Sequence, residues 1–142
     1  MRTRIYISLK GMNNVNWEEA QIIIRNAMVV GSTINTKNST DRKIVAVDVS
    51  LNNYDYKGAL GFQVKIGVAS KNQISIPWEM LQVCFAQLNT KQGYNAKFFK
   101  DNFPKQYNHP CHVHTIGQIF MRSGIVEARG NKCSPSYFLI NH

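Results

Sequence analysis

NHPCHVHTIGQIF, residues 108–120, gathers three of the chain's four histidines and one of its three cysteines within six positions. It reads either as a metal centre or as the front of a helix, and the fold turns on which. Wound at about 100° per residue, Val113, Ile116, Gly117 and Phe120 fall within one narrow arc. His109 shares that arc, His112 lies on its flank, and Cys111 and His114 point to the far side. A zinc site needs its ligands to converge within ~2.0–2.3 Å of one ion. Neither a helical HxxxH nor a CxxC spacing is present. The segment therefore reads as an amphipathic helix capped by Asn108, with Pro110 in its first turn, running to Ser123 and stopped by Gly124. No metal or other cofactor is expected.

The same winding puts Cys111, Thr115, Gln118 and Arg122 on the face opposite the apolar one, with His114 alongside. If that face is open, Gln118 and Arg122 can make paired contacts to adenine and guanine edges, and Thr115 can meet a phosphate or a thymine methyl.

Upstream, Pro77 suits the first turn of a helix in which Trp78, Leu81, Phe85 and Leu88 form an apolar stripe. "YNAKFFKDNF" (94–103) predicts a short helix anchored by Phe98 and Phe99 and closed by Pro104. Downstream, "IVEARG" (125–130) and "SYFLIN" (136–141) predict two strands joined through "NKCSPS" (131–136). Helix, helix, helix, hairpin over residues 77–142 resembles winged helix-turn-helix modules. In those, the third helix enters the major groove and the wing touches the backbone. The resemblance implies that Thr115, Gln118 and Arg122 reach bases while Lys97, Lys100, Lys105, Arg129 and Lys132 meet phosphates. The connection "DNFPKQYNHP" is longer than the tight turn usual in such modules.

Residues 1–76 carry a different pattern. Asn16 and Glu19 form a capping box ahead of Trp17, Ala20, Ile24, Ala27 and Met28 at helical spacing, with Gly31 as the stop. "STINT" (32–36) and "KIVAVDVSL" (43–51) predict strands around the turn "KNSTDR" (37–42), and "NNYDYKGALG" (52–61) is a loop. "FQVKIGV" alternates Phe62, Val64, Ile66 and Val68 inward against Gln63 and Lys65 outward, and "NQISIPW" (72–78) adds a further strand. Residues 15–90, from the Trp17 helix through the meander and the "ISIPW" strand into the next helix, resemble small α+β modules of restriction systems and other mobile elements, such as integron cassettes and phages. The resemblance implies an accessory role with no catalytic signature. The expected fold class is α+β: a helix on an antiparallel meander over 1–76, packed as one unit with a helical, hairpin-ended, winged-helix-like segment over 77–142.

At 142 residues and 44% hydrophobic content the chain can bury a substantial core. No stretch approaches the ~20 apolar residues of a membrane span, and the basic start "MRTRIYISLKGMNN" lacks the apolar run of a secretory signal. With three unpaired-looking cysteines, a reduced cytoplasmic setting is expected. Lys and Arg outnumber Asp and Glu 17 to 8, a formal charge of +9. Residues 91–142 are the more basic part, with 7 cations against 2 acids. That excess favours a polyanionic partner, nucleic acid above all.

Two other classes compete with non-catalytic DNA binding. Tyr54, Tyr56, Tyr94 and Tyr107 in loops, and an uncovered strand edge, would fit a protein-interaction module that forms a homodimer. Asp48 or Asp55 followed by Gln63 and Lys65 imitates the acid and lysine order of Mg²⁺-dependent nucleases. Alternation already accounts for Gln63 and Lys65 as the solvent side of a strand, so the reading adopted is non-catalytic.

Overall fold

The computed structural model describes residues 15–34, 42–51, 57–67, 73–108, 111–131 and 134–140. The elements run α1 (Trp17–Ala27), β1 (Arg42–Ser50), β2 (Leu60–Ile66), β3 (Gln73–Pro77), α2 (Trp78–Gln87), α3 (Ala96–Asn102), a 3-10 turn (Gln106–Asn108), α4 (Cys111–Arg122), β4 (Val126–Arg129) and β5 (Ser136–Leu139). The class is α+β, with β1-β2-β3 an antiparallel meander and β4-β5 a separate hairpin.

α1 starts as its sequence demands. Asn16 Oδ1 accepts from the Glu19 amide at 2.8 Å, and Glu19 Oε1 accepts from the Asn16 amide at 3.0 Å. Two donors that a helix start would leave unsatisfied are thereby paired. The helix closes at Ala27, before Gly31, because the chain then turns to run beside β1. Gly31 N donates to Ile44 O at 2.8 Å and Ile34 N to Arg42 O at 2.7 Å. The strand expected at "STINT" is thus a short edge bridge, Thr33 to Lys43, and its continuation lies outside the described residues.

In β2 the alternation holds: Phe62, Val64 and Ile66 are buried, and Gln63 and Lys65 take the other side. The buried side meets Ala20 and Ile24 of α1, Leu81 and Phe85 of α2, and Ile116 and Phe120 of α4 in one core shared by both halves of the chain. Each fully buried side chain of this kind contributes roughly 1.5–3 kcal/mol. β1 is less regular, with register shifts after Ile44 and after Ala46, and Asp48 takes φ +57°. Asp48 keeps this uncommon conformation because three hydrogen bonds from two residues hold its carboxylate. Arg25 donates through Nε at 2.7 Å and Nη2 at 3.2 Å, and Trp78 Nε1 donates at 2.6 Å. Arg25 also lies 4.6 Å over the Trp78 ring, so α1, β1 and α2 are tied at one point.

The C-terminal hairpin attaches through Tyr94. Its amide and carbonyl exchange hydrogen bonds with Tyr137 at 2.9 and 2.8 Å, and its hydroxyl donates to Val113 O at 3.0 Å. Tyr94, expected in an accessible loop, is instead fully buried, because those three bonds and the Phe120 and Tyr137 rings enclose it. Gly117 makes the packing of β5 on α4 possible: a Cβ there would stand 2.5 Å from the Tyr137 ring. α4 closes at Arg122, and Gly124, two residues on, takes φ +75°. Among the described residues no helix is long and apolar enough to cross a membrane.

Candidate nucleic-acid interface

α4 is the helix that the sequence singles out, and it is enclosed. Val113, Ile116, Gly117 and Phe120 are buried as expected, and so are His112, Thr115, Gln118 and Ile119. Residues 115–120 are buried without a break. Six consecutive residues of a helix with ~3.6 per turn point in every direction. Sheet and α1 therefore cover one side while α3, the 3-10 turn and the hairpin cover the rest.

Thr115 and Gln118 thus need correction. They were expected on an open face, yet Thr115 is fully buried and Gln118 is 5% exposed. The cause is Arg42, at 4% exposure equally interior. Its Nε donates to Thr115 Oγ1 at 2.7 Å, and its Nη1 donates to Gln118 Oε1 at 3.4 Å. The polar face of α4 is satisfied inside the protein instead of by water. Arg42 was expected at the end of a turn; it is the first residue of β1. One signal in the sequence could have found it. Arg42 shares strand parity with the buried Ile44, so it points to the same side of the sheet.

The histidines separate. His112 stacks on Phe99 of α3, with centroids 6.1 Å apart and planes 26° apart. His114 lies toward Arg42 on the other side, and burial with the Arg42 charge holds its imidazole below the ordinary value of 6.5. These two side chains diverge, and among the described residues no three His, Cys, Asp or Glu gather as metal ligands do. His109 and the Cys111 side chain lie outside the described residues.

The cations expected at phosphates are exposed: Lys97, Lys100, Lys105, Arg122 and Arg129. Lys132 lies outside the described residues. Lys97 pairs with Asp101 one turn on, and Arg129 with Glu127 on the same strand. Exposed pairs of this kind are weak and exchange readily with other anions. Lys100 sits 5.6 Å over the Tyr107 ring and Arg129 4.4 Å over Phe138, both contacts that leave the charge toward solvent. Asn95, the cap of α3, donates to Ser136 Oγ of β5 at 3.1 Å and so fixes α3 against the hairpin.

The nuclease-like residues do not converge. Asp48 is engaged by Arg25 and Trp78 on the side where Phe62 meets Trp78, at 4.8 Å. Gln63 and Lys65 take the opposite side of the sheet, where Ser75 Oγ donates to Gln63 Oε1 at 3.0 Å. Asp55 lies outside the described residues, as do Tyr54 and Tyr56.

Comparison with family models, with curated proteins and with solved structures finds no match for the chain.

Proposed function

We propose that the protein is a non-catalytic nucleic-acid-binding protein that grips duplex DNA by its phosphates, without reading its sequence. The observation that carries this reading is the exposed cation set of α3, the C-terminus of α4 and the hairpin. It sits in a region with 7 basic and 2 acidic residues. Release of condensed counterions from the duplex drives such binding, with a log–log salt slope near −0.9 per phosphate contacted. Contacts from Lys97, Lys100, Lys105, Arg122 and Arg129 correspond to a slope of about −4 to −5. Sequence readout needs several side chains at base edges, and of the three expected there Thr115 and Gln118 are occupied with Arg42, which leaves Arg122 alone exposed. An accessory role in a mobile element and a cytoplasmic location belong to the same proposal.

The test is fluorescence anisotropy with duplexes of unrelated sequence across a salt series. The expected result is binding at low salt, steep weakening as salt rises, and little difference between sequences. Absence of binding at low salt, or a flat salt dependence, removes the proposal.

A second reading, self-association, draws on exposed apolar side chains on α1 and just after it: Ile22, Val29 and Val30 are 61, 59 and 58% exposed. Light scattering on the purified chain separates monomer from dimer.

A further inference from the structure

The open side of the meander carries an unexpected row. β1 and β2 pair so that Lys43 stands directly opposite Lys65, and β2 and β3 pair so that Lys65 stands opposite Gln73. The next row holds Gln63 opposite Ser75. Facing residues on adjacent antiparallel strands have Cβ atoms roughly 4.5–5.5 Å apart, and like charges placed so destabilise the pair. Nothing on these strands offsets the repulsion. Asp48 is the sole acid in β1, β2 and β3, and Arg25 and Trp78 hold it on the buried side of the sheet. The Gln63 carbonyl oxygen is taken by Ser75 Oγ at 3.0 Å, which leaves its amide NH₂ to donate. This surface therefore presents two ammonium groups and an amide donor side by side, on a sheet whose other face is the core.

A patch that is unfavourable in isolation becomes favourable when a polyanion covers it. We infer that the Lys43–Lys65 row is a second phosphate-contacting surface for duplex nucleic acid, distinct from the α3 and hairpin cations. The inference rests on the reading of the protein as a nucleic-acid binder. It adds that the chain contacts DNA with both its halves. A sheet face with no acid among its described residues suits a phosphate backbone, which supplies acceptors to all three donor groups and needs no apolar cover.

The experiment compares the salt dependence of binding to one 20-base-pair duplex for the native chain, Lys43→Gln/Lys65→Gln, and Lys100→Gln/Lys105→Gln/Arg122→Gln. Melting of the free proteins is followed alongside. The Lys43→Gln/Lys65→Gln chain is expected to lose about 2 from the magnitude of the salt slope and to melt no lower than the native chain. Lys65→Glu, which places an acid opposite Lys43, is expected to melt higher while binding DNA more weakly. A salt slope unchanged in the double variant, with the triple variant weakened, overturns this inference and leaves the proposed function standing. No binding by the native chain removes both. A lower melting temperature for Lys65→Glu overturns the premise that the row is repulsive.

Discussion

The guanidinium of Arg42 donates from Nε to the hydroxyl of Thr115 across 2.7 Å, joining the first residue of β1 to the centre of α4 over 73 positions of sequence. A buried guanidinium is tolerated only where its N–H groups find acceptors. Gln118 Oε1 supplies another at 3.4 Å. Arg42→Met leaves both acceptors without their donor and is expected to lower stability by about 3 kcal/mol. Gln118→Leu alone is expected to cost less, and the two changes together less than their sum, by ~0.5–3 kcal/mol of coupling. Urea denaturation of the four proteins of this cycle measures it. Additivity within error would show that the pair does not act as a unit.

Gln118→Ala and Arg122→Ala are expected to separate stability from binding. Gln118 is interior and Arg122 exposed. Removing Gln118 lowers the urea midpoint and leaves the relative affinities for different duplex sequences unchanged. Removing Arg122 leaves the midpoint within about 0.5 kcal/mol of native and reduces the salt slope by about 0.9. A change in sequence preference for Gln118→Ala would restore the base-contact role that burial argues against.

Gly117→Ala tests the seat of the hairpin on α4. The added methyl would stand 2.5 Å from two carbons of the Tyr137 ring, inside van der Waals contact. Overpacking of this kind costs about 1–3 kcal/mol, which outweighs the ~1 kcal/mol that alanine gains over glycine in a helix. Thermal melting is expected to show a net loss. A melting point at or above the native value would show that the ring moves aside freely.

Acid should destabilise the fold in two separate windows. Burial, and after it the Arg42 charge, hold His114 below its ordinary 6.5. The unfolded chain then binds this proton first, so stability is level above pH 6.5 and declines as pH falls toward the folded pKa. The Arg25 hydrogen bond, with that from Trp78 added, holds Asp48 below its ordinary 3.8 against the opposing effect of burial. Its contribution is present above pH 3.8 and lost as pH falls further. Denaturant midpoints from pH 8 to 3 should show both declines. His114→Gln removes the first alone and Asp48→Asn the second, the latter at a lower stability throughout.

Cys84 is fully enclosed in the core, and burial pushes its thiol well above the ordinary 9.0. The thiolate is the reactive species, so alkylation at pH 8 should spare Cys84 in the folded protein and modify it fully in 6 M guanidinium. Mass spectrometry of peptides containing residue 84 reads the difference directly.

Local physics made much of the architecture legible. The capping box at Asn16 and Glu19, the alternation through Phe62, Val64 and Ile66, and the Val113, Ile116, Gly117, Phe120 arc all recur in the folded chain. Each depends on the period of one element and on which side of it is apolar, a property written within ten or so neighbouring residues. The candidate site was less legible because exposure is not a local property. Whether Thr115 and Gln118 meet water depends on what lies across from them.

The sequence by itself determined the α+β class, the positions of its helices and of most of its strands, and the surplus of positive charge, since periodicity, caps and titratable groups are carried by the residues themselves. Only the tertiary structure decided which polar groups remain available to a partner. It brought Arg42 from a distant strand to satisfy the polar face of α4, and its strand register set Lys43 opposite Lys65. Both outcomes are long-range pairings, fixed by which surfaces must be buried together and invisible to any short window of sequence.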